Sequence, residues 1–191
     1  MNTLLQLSLL SKPIRKFPNT LIYNPPQKPN KFLMCNKKGE FVGMMSVAVR
    51  ERTSSSFYKC DLPYKALHIG AINIFPKYRG KGYGSDFIKF AKRESYKQGC
   101  DGKVSLVAYF PGRAPHLFYY KKGFITPDKK LNDYFDNCIK TGQTFSDFSA
   151  QDMFLPLKKE HFVSEGVFVV DSKPQTFVGK LFKQIVGFLF G

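Results

Sequence analysis

The feature that most constrains this chain is an apolar run, a glycine loop and an amphipathic run in succession between residues 66 and 98. "ALHIGAINIF" (Ala66–Phe75) is rich in β-formers and stops at Pro76, which predicts a strand. The loop that follows places Gly80, Gly82 and Gly84 at alternate positions. From Ser85 to Gln98 the apolar residues recur at helical spacing. Phe87, Ile88 and Ala91 form an inward face, and Lys89, Lys92, Arg93 and Lys97 a basic outer one. Gly99 reads as the residue just past the helix end. "KVSLVAYF" (Lys103–Phe110) returns to strand character, so the order is strand, loop, helix, strand, and the two strands must run parallel.

Around this crossover, "KFLMCN" (Lys31–Asn36) and "EFVGMMSVAVRE" (Glu40–Glu51) predict an antiparallel hairpin turned by "KKG". The first 30 residues carry Pro13, Pro18, Pro25, Pro26 and Pro29, which limits them to short elements and extended chain. Downstream, Pro115 to Lys122 predicts a short helix closed by Gly123, and "FIT" and "DMFLPL" (Asp152–Leu157) predict two closing strands. The segment Pro127 to Gln151 is long for a hairpin loop and is expected to carry a helix over Leu131–Lys140. The fold class that follows is α/β (α+β): a mixed, mostly antiparallel sheet with helices on its faces.

The expected organisation is one domain over residues 1–160 and a tail over 161–191. In the tail, Phe177, Val178, Leu181, Phe182, Ile185, Val186 and Leu189 fall on one helical stripe with Lys180 and Lys183 opposite. Such a helix docks on its own domain, on a second copy as in a homodimer, or in the plane of a membrane surface.

A formal charge of +16 on 191 residues favours polyanionic partners such as RNA, acidic proteins, anionic membranes or phosphorylated cofactors. Cys35, Cys60, Cys100 and Cys138 form no CxxC pair and have no His at ligand spacing, so no metal site and no disulfide framework is expected. Free thiols fit a reducing cytoplasm. The apolar start has no preceding basic residue and no clear cleavage site, and no run of about 18 apolar residues occurs. The expectation is therefore a cytoplasmic protein without a signal peptide or a membrane span.

Glycines between a strand end and a helix start leave several amides pointing into one space and remove the Cβ atoms that would hold a ligand away. The helix dipole adds positive character there, and Arg79 and Lys81 add full charges, so the loop suits a phosphate or pyrophosphate. The nucleotide loops do not fit. No Lys-Ser/Thr follows the glycines as a P-loop requires, and the spacing is GxGxG rather than the dinucleotide GxGxxG. The kinase sequences HRD and DFG are absent. A phosphate compound of another class remains, beside the alternative of a plain strand-to-helix turn.

Arg79-Gly80-Lys81-Gly82-Tyr83-Gly84 resembles the Arg/Gln-x-x-Gly-x-Gly/Ala coenzyme A signature of the GNAT N-acyltransferase superfamily. "PHLFYYKKGF" (Pro115–Phe124) is similar to the family's second motif, in which a helix carries "FY" ahead of "GF". The resemblance covers roughly Lys31 to Leu157. It implies a GNAT-like sheet whose central parallel strands splay apart to admit the pantetheine of acetyl-CoA. It further implies that the backbone near Ile74, beside a bulge, meets the pantetheine, and that the amides of Gly80, Lys81, Gly82, Tyr83, Gly84 and Ser85 hold the pyrophosphate. The implied reaction is direct acetyl transfer from acetyl-CoA to a primary amine, with no metal and no covalent enzyme intermediate. Tyr119 occupies the position of the general acid, with packing on its helix as the alternative. His68 stands where members of the superfamily place a catalytic Glu or His, and is the candidate base. His116 and His161 have weaker claims. Strict alternation puts His68, Gly70, Ile72 and Ile74 on one face of their strand.

The acceptor is an amine whose identity stays open. The basic surface tilts it towards something anionic or RNA-linked, such as aminoacyl-tRNA. Family members usually carry a strand and two helices before the hairpin, where this chain has about 30 proline-rich residues. The insertion and the tail are the candidates to replace that wall. The rival reading from another class is a non-catalytic protein that uses the same fold to sense acyl-CoA or to bind RNA or a partner.

Overall fold

The structure is a computed structural model and describes residues 12–53, 57–58, 63–109, 114–145 and 149–157. Seven strands form one sheet in sequence order: β1 (Arg15–Lys16), β2 (Thr20–Tyr23), β3 (Lys31–Asn36), β4 (Phe41–Arg52), β5 (Tyr64–Ile74), β6 (Val104–Ala108) and β7 (Gln151–Leu155). Neighbours are antiparallel except β5 and β6, which are parallel and joined through helix α1 (Tyr83–Lys97). Helices α2 (His116–Tyr120) and α3 (Lys129–Thr141) lie between β6 and β7 along the chain. The architecture is the mixed, mostly antiparallel sheet that the sequence implies.

Local chemistry explains the elements. The β3–β4 turn works because Gly39 takes a left-handed φ of 78° and the Asn36 carboxamide oxygen accepts from the amides of Lys38 and Glu40. Helix α1 ends as expected, with Gly99 left-handed and the amides of Gly99 and Cys100 donating back to the carbonyls of Tyr96 and Ser95. Helix α3 starts at Asp128, whose carboxylate accepts from the amides of Lys130 and Leu131, and stops at left-handed Gly142. The proline-rich start contributes the two short strands β1 and β2. Thr20 at the head of β2 donates its hydroxyl to Asp86 in the first turn of α1, at 3.0 Å. "FIT" makes one antiparallel bridge, Ile125 to Phe154, rather than a strand.

The main core lies on one face of the sheet. Met45 and Val47 of β4, Leu67 and Ile69 of β5, Leu106 of β6 and Met153 of β7 pack there against Phe87, Ile88, Phe90 and Ala91 of α1. Phe124, Phe135 and Phe145 extend it over α2 and α3. On the opposite face, Phe57 and Tyr58 cover Tyr64, Ala66 and Phe154. Tyr58 anchors this cover: its hydroxyl donates to the Leu155 carbonyl at 2.9 Å, with the Val104 carbonyl also within reach at 3.2 Å, and accepts from the Val104 amide. The amphipathic stripe expected in the tail, with His161, lies outside the described residues.

Two features of β4 and β5 were invisible to simple alternation. Ser46 pairs with Ala71 but Val47 pairs with Ile69, so Gly70 is an extra residue, a β-bulge. The bulge resets the faces. Ile69, Ile72 and Ile74 stand opposite Val47, Met45 and Gly43 on the core side, whereas His68 stands opposite Ala48 on the other side. The expectation that His68 and Ile74 share a face is therefore corrected: one inserted residue inverts everything beyond it.

The second feature is Gly43, opposite Ile74. A Cβ there would lie 2.5 Å from the Asn73 carbonyl oxygen and 3.2 Å from the Ile74 Cα, both backbone atoms that cannot rotate away. Gly43→Ala is expected to cost about 1–3 kcal/mol in urea unfolding, the usual penalty of overpacking, and to displace the end of β5. An unchanged unfolding midpoint would show that β5 lies farther off than these distances state.

Candidate active site

The two parallel strands stay together only briefly. Leu67, His68 and Ile69 pair with Val104, Ser105 and Leu106, and beyond them β5 continues to Ile74 and β6 to Ala108 without further pairing to each other. Ile72, Asn73, Ile74 and Tyr109 along this parting are half-buried. The bulge at Gly70 sits where the separation begins. A cleft whose walls are strand backbone offers unpaired amides and carbonyls to an extended ligand, as a sheet edge does.

The glycine loop lies beyond the end of β5. Gly80 and Gly82 have φ of 74° and 85°, and a Cβ on either would meet no protein atom within 4 Å. Gly82 caps α1 without a side chain, and the amides of Ser85 and Asp86 fold back on its carbonyl at 2.9 and 3.2 Å. Among the described residues the amides of Gly80, Lys81, Gly82, Tyr83 and Gly84 have no acceptor in the protein. Free donors gathered at a helix N-terminus suit an anion. Ser85, expected in that set, leaves it, because its amide already serves the capping turn.

The third glycine answers a different demand. A Cβ on Gly84 would come within 2.9 Å of the Phe118 ring, so Gly84 lets α2 abut the first turn of α1. That contact seats α2, the helix that carries Tyr119, against the start of α1. The Arg79 Nε donates to the Ile74 carbonyl at 2.9 Å and folds the loop back on the end of β5. Lys81 is exposed, and it and Lys77 flank the Tyr78 ring at 5.8 and 4.7 Å. Tyr83 is half-buried edge-on to Tyr78.

Tyr119 is half-buried between Phe118 and Phe124, and among the described residues its hydroxyl has no hydrogen-bond partner. Burial pushes its pKa up to about 12. The phenol thus keeps its proton throughout the working pH range and has it to offer. His68 is 3% exposed, and its Nδ1 lies 3.3 Å from the Ser105 hydroxyl. Burial, then the positive fields of Arg50 and Arg52, lower its pKa to about 3. A base this weak takes a proton from an alkylammonium, ordinarily near pKa 10.4, at a cost of roughly 10 kcal/mol. The expected role as free-standing base therefore runs against the environment. Tyr119 and His68 lie on opposite faces of the sheet, the first with the α1 cluster and the second with Ser105. His116 is buried, stacks on Phe135, meets Phe145 edge-on and holds the Ser149 carbonyl at 3.0 Å, which makes it a packing residue of the insertion.

The depressed pKa has a measurable consequence. The unfolded imidazole takes up its proton near 6.5 and the folded one only near 3, so between those values the unfolded chain binds more protons. Stability from this group is full above about pH 7 and falls as the pH is lowered. From pH 7 to pH 5 wild type should lose about 2 kcal/mol that His68→Gln does not lose. Urea unfolding of both proteins at the two pH values tests this, and parallel losses would sink it.

Sequence reasoning missed Arg52, whose Nη2 lies 3.5 Å from the Ser105 hydroxyl and so prolongs the His68–Ser105 contact outward. It also missed Gly43 and Asp86. Among the described residues no group of three or more His, Cys, Asp or Glu could hold a metal ion, and no helix is long and apolar enough to cross a membrane. Cys35, Cys100 and Cys138 are buried free thiols.

The family model of the acetyltransferase (GNAT) family matches residues 3–124. A search of curated proteins finds no match. Solved structures share the arrangement at low identity. The Bacillus subtilis N-acetyltransferase YlbP in complex with coenzyme A is 15% identical, with a TM-score of 0.43 over 65% of this chain and 66% of that one. Arabidopsis thaliana Naa50, in complex with a bisubstrate analogue of coenzyme A and a peptide, is 17% identical with a TM-score of 0.41, over 66% of this chain and 72% of that one. The PaiA N-acetyltransferase of Thermoplasma acidophilum, in complex with coenzyme A, is 14% identical with a TM-score of 0.42, over 65% and 58%.

Proposed function

This chain belongs to the acetyltransferase (GNAT) family, and on that footing we propose that it transfers an acetyl group from acetyl-CoA directly to the nitrogen of a primary amine. The observation that carries the reading is the parting of β5 and β6 with a glycine cradle at its mouth, whose five amides have no acceptor among the described residues. The pyrophosphate would take the amides of residues 80–84 with Lys81 beside them, and the pantetheine would lie along Ile72–Ile74. Arg79, whose Nε holds the loop to the Ile74 carbonyl, has its terminal guanidinium nitrogens to offer the phosphate as well.

The amine attacks the thioester carbon and the thiolate leaves, so one proton must leave the nitrogen and the sulfur gains from a donor. Tyr119 is the donor in this scheme. His68 serves as a neutral hydrogen-bond link to Ser105 and takes a proton only if its surroundings change on binding. The amine then enters unprotonated or loses its proton to water. Three buried thiols agree with a reducing, cytoplasmic setting.

Thiol release from acetyl-CoA with a panel of primary amines tests the proposal. Turnover that depends on the amine supports it. Measurable coenzyme A binding without turnover on any amine would favour a sensor, and no coenzyme A binding would remove both readings.

A further inference from the structure

The face of the sheet opposite α1 carries a second cluster of charge. Arg50 and Arg52 of β4 stand opposite Ala66 and Tyr64, two residues apart on the face that also holds His68. Arg50 is exposed and Arg52 half-buried. Among the described residues neither makes an ion pair. Among the described residues the buried Arg52 Nε has no hydrogen-bond partner, while the guanidinium lies over the Phe57 ring at 5.0 Å and reaches Ser105. Asp152 of β7 opposes both charges from a distance but is itself exposed. Two like charges fixed side by side, one with an orphaned buried donor, are costly unless something negative joins them.

Their place relative to the cleft gives this arrangement a use. Ala66, opposite Arg50, precedes the bulge at Gly70 by four residues, roughly 13 Å along a strand, and an arginine side chain spans much of that. We propose that Arg50 and Arg52, backed by Ser105, form an anion subsite that selects an amine acceptor carrying an oxyanion close to its amino group. The inference rests on the N-acetyl transfer reading above. Two guanidinium forks about 7 Å apart at their backbones can hold one carboxylate or phosphate-type group between them. Such an anion would also offset the positive field that, after burial, keeps His68 neutral.

Three amines of similar length separate the possibilities: propylamine, 3-aminopropanoate and 3-aminopropylphosphonate. With wild type, kcat/KM for thiol release should be at least about tenfold higher for one or both anionic amines than for propylamine. Which anion gains more distinguishes a carboxylate from a phosphate-type group. In Arg50→Gln, and more fully in Arg50→Gln/Arg52→Gln, the ratio of anionic to neutral amine should fall to about one. A wild-type ratio near one, or a ratio unchanged in both variants, overturns the subsite. Calorimetric titration of the intact chain with 3-aminopropylphosphonate, beside coenzyme A, keeps the two proposals apart. If no amine is turned over, the transfer reading fails. Phosphonate binding that is lost in Arg50→Gln would still support the subsite, and no binding to wild type would overturn it. Arg50 is exposed, so its single variant guards against a double variant that does not fold.

Discussion

Tyr119→Phe is expected to lower kcat for acetyl transfer by about 10²-fold and to leave the Kd for coenzyme A within about twofold of wild type. The substitution removes one hydroxyl and keeps the ring that packs against Phe118 and Phe124. Since the hydroxyl has no partner among the described residues, its loss leaves no protein group unsatisfied and costs little stability. The size of the effect follows from the acidity. A phenol at about 12 is a weaker acid than a thiol at about 8.5, so full transfer to the leaving sulfur is uphill by roughly 5 kcal/mol unless the thiolate is raised too. In the proposed scheme Tyr119 would supply a hydrogen bond to charge as it develops, worth about 2.7 kcal/mol if kcat falls 10²-fold. The pH profile provides the control. Tyr119 does not ionise below about pH 11, so the profile of Tyr119→Phe should be displaced downward with its shape kept. Wild-type kcat in the variant would return Tyr119 to a packing role.

The residues that were legible in the sequence are those whose task is local. Gly80 and Gly82 announce themselves because a left-handed turn into a helix leaves few other choices, and the β5–α1–β6 crossover follows from periodicity alone. Helix α3 was placed two residues late at its start. Asp128 was the missing signal, a short acidic residue after Pro127 that caps the helix it precedes. Contacts between distant segments left no such trace. The bulge at Gly70 depends on pairing with Ser46 and Val47 and breaks no local rule of strand composition. Arg52 and Ser105 meet across 53 positions, and the insertion packs His116 against Phe135 and Phe145 through shape rather than motif. The charge of Arg79 is visible in sequence, whereas the Ile74 carbonyl that its Nε engages is not. Binding loops are therefore read well by composition, and the walls that choose the acceptor are read poorly.

That division sets the last expected result. Gly82→Val raises the Kd for acetyl-CoA by about 10²-fold, measured by calorimetry. Gly82 sits at a φ of 85°, where a β-branched residue pays roughly 1–2 kcal/mol, and its Cβ would project into space that no protein atom fills. If that space holds the pyrophosphate, the intruding side chain also removes part of a charge-assisted contact worth about 1.5–3 kcal/mol. That contact alone is of the order of the roughly 2.8 kcal/mol that a 10²-fold change requires, whereas the backbone cost is paid with and without ligand and falls on stability. Gly84→Ala separates the cradle from general damage to the loop. Its Cβ would press on Phe118, whose ring is 37% exposed and able to give way, so affinity should change far less than with Gly82→Val. The unliganded melting temperature distinguishes strain from lost contact: a backbone cost alone lowers it without altering the rise that saturating acetyl-CoA produces. A Kd unaltered by Gly82→Val would mean that the open space above Gly82 is not where the phosphates sit, and the assignment of the loop as the coenzyme A cradle would fall with it.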